Sequence, residues 1–137
     1  MSKDLEKAVR EILEKEGESP VYEAAADILR ALLILYGSGW ESDLRDVLLG
    51  LWNIEGVGLE KMGELQHALP EAEKLLSDAG IIKVERRMRA DLSGKPQEEK
   101  IYTTGILTTL LRVLASDLKI DRYRYEVSGG VFPPRSL

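Results

Sequence analysis

The apolar period of this chain changes at Gly80. Before it, apolar side chains recur every three to four residues; across 81–89 they alternate. The first spacing marks the buried face of a helix and the second a half-buried strand. A chain of 137 residues with this order has room for one core, built from several helices and one short sheet.

Over 3–16, Leu5, Ala8, Val9, Ile12 and Leu13 form one stripe, ended by Gly17. That stripe must bury against its own domain or against a second copy. Ser19-Pro20 has the chemistry of a helix start, with a capping hydroxyl and a proline at the first helical position. Ala24, Ala25, Ile28, Leu29, Leu32, Leu33 and Tyr36 continue at helical spacing, and Gly37 supplies the stop. Ile34 and Leu35 widen the apolar surface, so this helix should be central. Ser38-Gly39-Trp40-Glu41 has capping-box spacing and predicts a helix from there to about Asn53. A further helical segment starts at Leu59. Pro70 lacks an amide hydrogen and biases Leu69 away from helix, which predicts a break or kink near 69. Helix resumes from Pro70 and stops at Gly80.

After Gly80, Ile82, Val84 and Met88 share one face of a strand, with Arg86 as an exception among them; Lys83, Glu85, Arg87 and Arg89 take the other. Ser93-Gly94-Lys95-Pro96 is turn chemistry, and Glu99 to Thr104 reads as the return strand. Residues 81–104 are thus a hairpin. A last helix is expected over 105–118. In the tail, 119–137, Tyr123, Tyr125 and Val127 alternate with charges as in a short edge strand, before Gly129-Gly130 and Pro133-Pro134 loosen the chain.

Charge divides at the same place. Residues 1–80 hold eight bases against seventeen acids, and 81–137 eleven against seven, so a formal net charge of −5 conceals −9 in front and +4 behind. An acidic total therefore does not exclude a nucleic-acid partner. The absence of cysteine removes disulfides, thiolate metal sites and cysteine nucleophiles. With His67 as the only histidine, a multi-histidine metal site is excluded. No catalytic constellation and no cofactor motif stands out: Gly56-Val57-Gly58-Leu59-Glu60-Lys61-Met62-Gly63 has the wrong spacing for a dinucleotide loop, and Gly94-Lys95-Pro96 lacks the hydroxyl of a phosphate loop. The charged start Ser2-Lys3-Asp4 does not read as a signal peptide, and the longest apolar run, Ala31 to Tyr36, is too short to span a bilayer. A cytoplasmic protein is expected. One asparagine and two glutamines beside many Glu, Lys and Arg resemble thermophile composition.

Three helices with a glycine stop, then a hairpin, then a helix, is the order of a winged helix. The expected fold is mainly α with a small β-hairpin: a winged-helix domain over 20–104, its wing at 81–104, with additional N- and C-terminal helices. Leu75-Leu76-Ser77-Asp78-Ala79-Gly80-Ile81-Ile82 resembles the exit from the recognition helix of winged-helix regulators. Gly94-Lys95-Pro96 and Lys100-Ile101-Tyr102-Thr103-Thr104-Gly105 resemble the wing tip and return strand of PadR-type regulators, and Ile28 to Trp40 their first helix and turn. The resemblance covers roughly residues 22–118 and extends to MarR-like regulators. It implies a homodimeric transcription regulator that binds double-stranded DNA, with the 3–16 and 105–118 helices as dimerisation candidates.

The physical case for DNA is the hairpin. Lys83, Arg86, Arg87, Arg89 and Lys95 stand against Glu85 and Asp91, a basic finger able to neutralise phosphates. The 59–79 segment would sit in or over a major groove, where Lys74, Gln66 and His67 are its candidate contacts. Glu71, Glu73 and Asp78 oppose phosphate there, and so keep open a second reading: an interaction module whose acidic helix meets a basic protein and not DNA.

Overall fold

The computed structural model describes residues 2–90 and 92–129, so Asp91, Gly130 and Pro133-Pro134 lie outside the described residues. The architecture is mainly helical with a small antiparallel sheet. Helix α1 spans Ser2–Glu14, α2 Pro20–Ile34, α3 Glu41–Ile54, α4 Leu59–Asp78, α5 Leu107–Val113 and α6 Leu118–Val127. Strands β1 (Ser38–Trp40), β2 (Ile82–Ala90) and β3 (Pro96–Thr104) form a sheet in the order β1-β3-β2.

Helix α2 is the centre. Every residue from Ala24 to Leu33 is buried, and its longest seam is with α4. Ala24, Ala25 and Ala26 are small enough to bring neighbouring helices close, while Ile28, Leu29 and Leu32 fill the space between them. Ser19 Oγ accepts the Tyr22 amide at 3.2 Å, as the Ser-Pro start predicts. The α1 stripe is used inside the chain: Val9 and Ile12 are buried, with α1 lying on α2 and α5.

At the end of α2 the Gly37 amide donates to Leu32 O at 2.7 Å and the Tyr36 amide to Leu33 O at 3.0 Å, a Schellman closure. The left-handed position falls on Tyr36, at φ 60°, where glycine is the usual occupant. Its side chain is exposed, so little packing offsets the strain. Tyr36→Gly is expected to raise stability by about 0.5–1 kcal/mol in chemical denaturation. A fall would mean that the exposed ring makes contacts outweighing the strain.

Four local expectations are corrected. Ser38 to Trp40 is not a capping box but β1, paired Ser38↔Thr103, Gly39↔Tyr102 and Trp40↔Ile101. The Ser38 backbone is taken up by the sheet, and the start of α3 is capped instead by Glu99, whose carboxylate accepts the Ser42 amide at 2.8 Å and the Ser42 hydroxyl at 2.6 Å. Of the break or kink expected near 69, the break is absent: helix α4 runs unbroken through Pro70. Leu65, Leu69, Ala72 and Leu76 stay in phase on its buried face, and each leucine contributes about 1.5–3 kcal/mol by burial. Together they outweigh the roughly 3 kcal/mol of an exposed internal proline. The 105–118 helix is shorter than expected: α5 ends at Val113, and Asp117 opens a new helix by accepting the Ile120 amide at 3.0 Å. The alternating 122–127 segment is therefore helical and not a strand. Ile120 and Tyr123 lie one turn apart; Ile120 is buried, and the Tyr123 ring covers Gly50 of α3 so closely that a Cβ there would fall 2.9 Å from it.

A buried charge cluster ties these additions to the core. Arg30 of α2 donates to Asp27 at 2.7 Å, to both carboxylate oxygens of Glu16 at 2.9 and 2.7 Å, and to Asp117 at 2.9 Å. Trp52 Nε1 donates to the other Asp27 oxygen at 2.9 Å, and Lys119 approaches Asp27 and Glu16 at 3.5 Å. Among the described residues no buried side-chain polar atom lacks a partner.

Candidate nucleic-acid interface

The hairpin forms as its alternation predicts, from Ile82↔Thr104 at its base to Ala90↔Pro96 near its tip. One face carries Ile82, Val84 and Tyr102 at the base, set against the helices; further out the same face carries Arg86, Met88 and Ala90 opposite Lys100, Glu98 and Pro96, all exposed except the half-buried Lys100. The opposite face carries Lys83, Glu85, Arg87 and Arg89. The base is fastened to α4 by Glu73, which accepts the Tyr102 hydroxyl at 2.7 Å and Lys100 at 3.2 Å. Burial, and then the Glu73 carboxylate taking its proton's hydrogen bond, push the Tyr102 hydroxyl well above the usual phenol range.

Each wing base on β2 has an acidic neighbour. Lys83 lies 3.5 Å and Arg87 3.3 Å from Glu85, Arg86 3.5 Å from Glu98, and Arg89 3.2 Å from Glu99. These side chains are more than one-third exposed on the basic side, so each pair is worth only about 0–1 kcal/mol and is screened by salt. A phosphate oxygen can replace such a partner at little cost. Lys95 lies in the exposed turn beyond them.

Arg89 is held more firmly than the others. Its guanidinium sits 5.1 Å from the Trp40 ring centre, donates to the Ser42 hydroxyl at 3.1 Å, and lies 3.9 Å from Asp43. The Ser42 hydroxyl and amide, with Arg89 beside them, hold the Glu99 carboxyl below the usual carboxylate range. Trp40 is half-buried on β1 beneath this arginine. No local pattern announces that contact, because Trp40 and Arg89 are brought together through the strand β3 that both β1 and β2 pair with.

Gln66, His67 and Lys74 are all exposed on α4, apart from the wing cluster. At 100° per residue, Glu60, Glu64, His67, Glu71, Lys74 and Asp78 fall on one stripe opposite the buried face. All six are exposed, four of them acids and one a lysine. Glu73, expected on this surface, turns instead toward Tyr102 and Lys100. Glu60 and Glu64 join the stripe only because α4 continues through Pro70; a break there would have put the two halves out of phase.

The arrangement offers two surfaces of opposite sign: a ribbon end with a basic excess and a helix face with an acidic one. Among the described residues no cluster of acidic or histidine side chains could hold a metal ion, and no helix is long and apolar enough to cross a membrane. No protein-family model and no curated protein matches the chain.

Proposed function

We propose that this chain is a winged-helix transcription regulator that binds double-stranded DNA wing first. The observation that carries the reading is the outer half of the hairpin, where Arg86, Arg87, Arg89 and Lys95 lie on a two-stranded ribbon beyond the last buried residue. It is supported by the order α2–β1–α3–α4–β2–β3, which matches the element order of a winged helix with α3 and α4 in the places of the helix-turn-helix and the hairpin in that of the wing. The wing supplies phosphate and minor-groove contacts. Helix α4 lies over the duplex without deep base readout, since its outward stripe is acidic; Gln66, His67 and Lys74 are its contacts. The reading carries with it a cytoplasmic location. Pairing of two copies falls to the terminal helices, with the exposed Leu111 and Leu118 of the C-terminal segment as its main apolar contacts and the half-buried Leu5, Ala8 and Leu13 of α1 beside the buried Val9 and Ile12.

Titration of a labelled duplex at several salt concentrations tests this. Binding should weaken steeply as salt rises. Arg87→Ala combined with Arg89→Ala should weaken binding to all sequences alike and reduce the salt slope by about 2. Absence of binding even at low salt would end the reading.

The acidic stripe of α4 favours one other function, docking of a basic protein segment against Glu60, Glu64, Glu71 and Asp78. In that case duplex binding is absent, and charge reversal at Glu64 and Glu71 abolishes partner capture.

A further inference from the structure

The tip of the wing exposes apolar side chains. Met88 is 62% exposed and Leu92 fully so, and Ala90 and Pro96, paired across the ribbon, are exposed as well. Met88, Ala90 and Pro96 lie on the face that Ile82, Val84 and Tyr102 bury at the base, past the point where the helices stop covering it, and share it with Glu98, which stands opposite Met88 and pairs with Arg86. Arg87 and Arg89 take the other face, Arg86 stands just inside the apolar part, and Lys95 follows Leu92 in the turn. A ribbon tip with a few bare apolar side chains beside arginines is costly in water and fits few partners.

Two properties select among those partners. The apolar area is only a few side chains wide, too little to anchor a chain in a bilayer, which needs a broad apolar face or a lipid chain. A base-step wedge needs no more than one or two such side chains. The minor groove, about 6 Å wide, meets a narrow hairpin end with phosphates along both rims, where arginines on the ribbon can reach them.

Resting on the DNA reading above, we propose that Leu92, backed by Met88, is an apolar wedge that enters the minor groove and unstacks a base step, so that the wing bends the duplex it binds. Flexible pyrimidine–purine steps are then the preferred sites, because they are the least costly to open. Such a preference needs no hydrogen bond from α4 to a base edge. It gives a protein with an acidic second surface a route to sequence selectivity through deformability.

The experiment uses the full chain and a short duplex with one central TA step, a donor and acceptor dye at its ends, and 2-aminopurine beside the step in a parallel preparation. Affinity is read by anisotropy on the same duplexes. With the native chain, end-to-end transfer should rise by an amount matching a bend of roughly 20–90°, and 2-aminopurine emission should increase. Leu92→Ala should still bind, through its arginines, yet lose both signals; Met88→Ala with Leu92→Ala should behave the same. Both substitutions lie at exposed positions, so folding is not at stake. Native protein that binds but neither bends nor unstacks the duplex overturns the wedge and leaves the DNA reading standing. So does Leu92→Ala with unchanged bending. Failure of the native chain to bind any duplex overturns both. Duplex-independent sedimentation with vesicles of phosphatidylserine and phosphatidylcholine, lost in Leu92→Ala, would assign the tip to a lipid surface and overturn the wedge.

Discussion

Arg30→Met is expected to cost about 3–5 kcal/mol of folding stability, the cost of breaking a buried ion pair from one side. Asp27 is fully buried, and Arg30 is its closest partner at 2.7 Å. Without the guanidinium, Asp27 keeps the Trp52 N–H and the more distant Lys119, while Glu16 and Asp117 lose their shared cation. Thermal unfolding followed by circular dichroism should show Tm falling by roughly 10–20 °C. Arg30→Lys, which keeps the charge but not the fork, should fall between the two. A Tm within a degree or two of the native value would mean that the cluster is energetically idle.

The same variant should change the acid limb of stability. Burial pushes the Glu16 carboxyl up, but the hydrogen bonds and charge of Arg30, helped by Lys119, outweigh it and hold Glu16 below its ordinary value of 4.5. A carboxyl depressed on folding contributes stability that is present above 4.5 and is lost as pH falls through its folded value. Native protein should therefore lose stability on acidification below about 4.5. Arg30→Met should lose less over that interval, since its Glu16 has lost its main partner.

Tyr102→Phe is the second large effect, expected at about 1.5–3 kcal/mol, the worth of a hydrogen bond to a charged acceptor. Tyr102 is 2% exposed and its hydroxyl reaches Glu73 at 2.7 Å. The substitution leaves the ring in place and Lys100 on Glu73, so the sheet should still form. Amide exchange in β3 should quicken and Tm should drop. Equal exchange rates in the two proteins would show that Lys100 alone anchors the wing to α4.

The parts of this fold that could be read in advance were those where one period governs a whole element. Val9 and Ile12 in α1, Ala24 to Leu33 in α2, and Ile82 and Val84 in β2 all bury the face their spacing marks. The errors came where a distant partner overrode a local signal. Ser38 has a capping hydroxyl, but the Thr103 strand takes its backbone, and Glu99 does the capping from the far side of the hairpin. Pro70 carries a local stop signal, but Leu65, Leu69 and Leu76 hold the helix together around it. Arg122 to Tyr125 alternate like a strand, but Asp117 starts a helix there and Ile120 and Tyr123 seat it on α3. The candidate interface divides in the same way. Arg86, Arg87, Arg89 and Lys95 are together on the wing because a hairpin is local; that Glu60 and Glu64 align with Glu71 and Asp78 required knowing that α4 is one helix.

The Arg30 cluster has a consequence for how this chain can be divided. Its carboxylates come from just after α1, from within α2 and from the cap of α6, separated along the chain by as many as 101 positions, from Glu16 to Asp117. One guanidinium thus closes the loop between the two ends. Trimming either end back to 20–104 would remove Glu16 or Asp117 and leave Arg30 one carboxylate short. The residues flanking 20–104 are therefore not accessories to an autonomous module; they share one buried cation with its central helix.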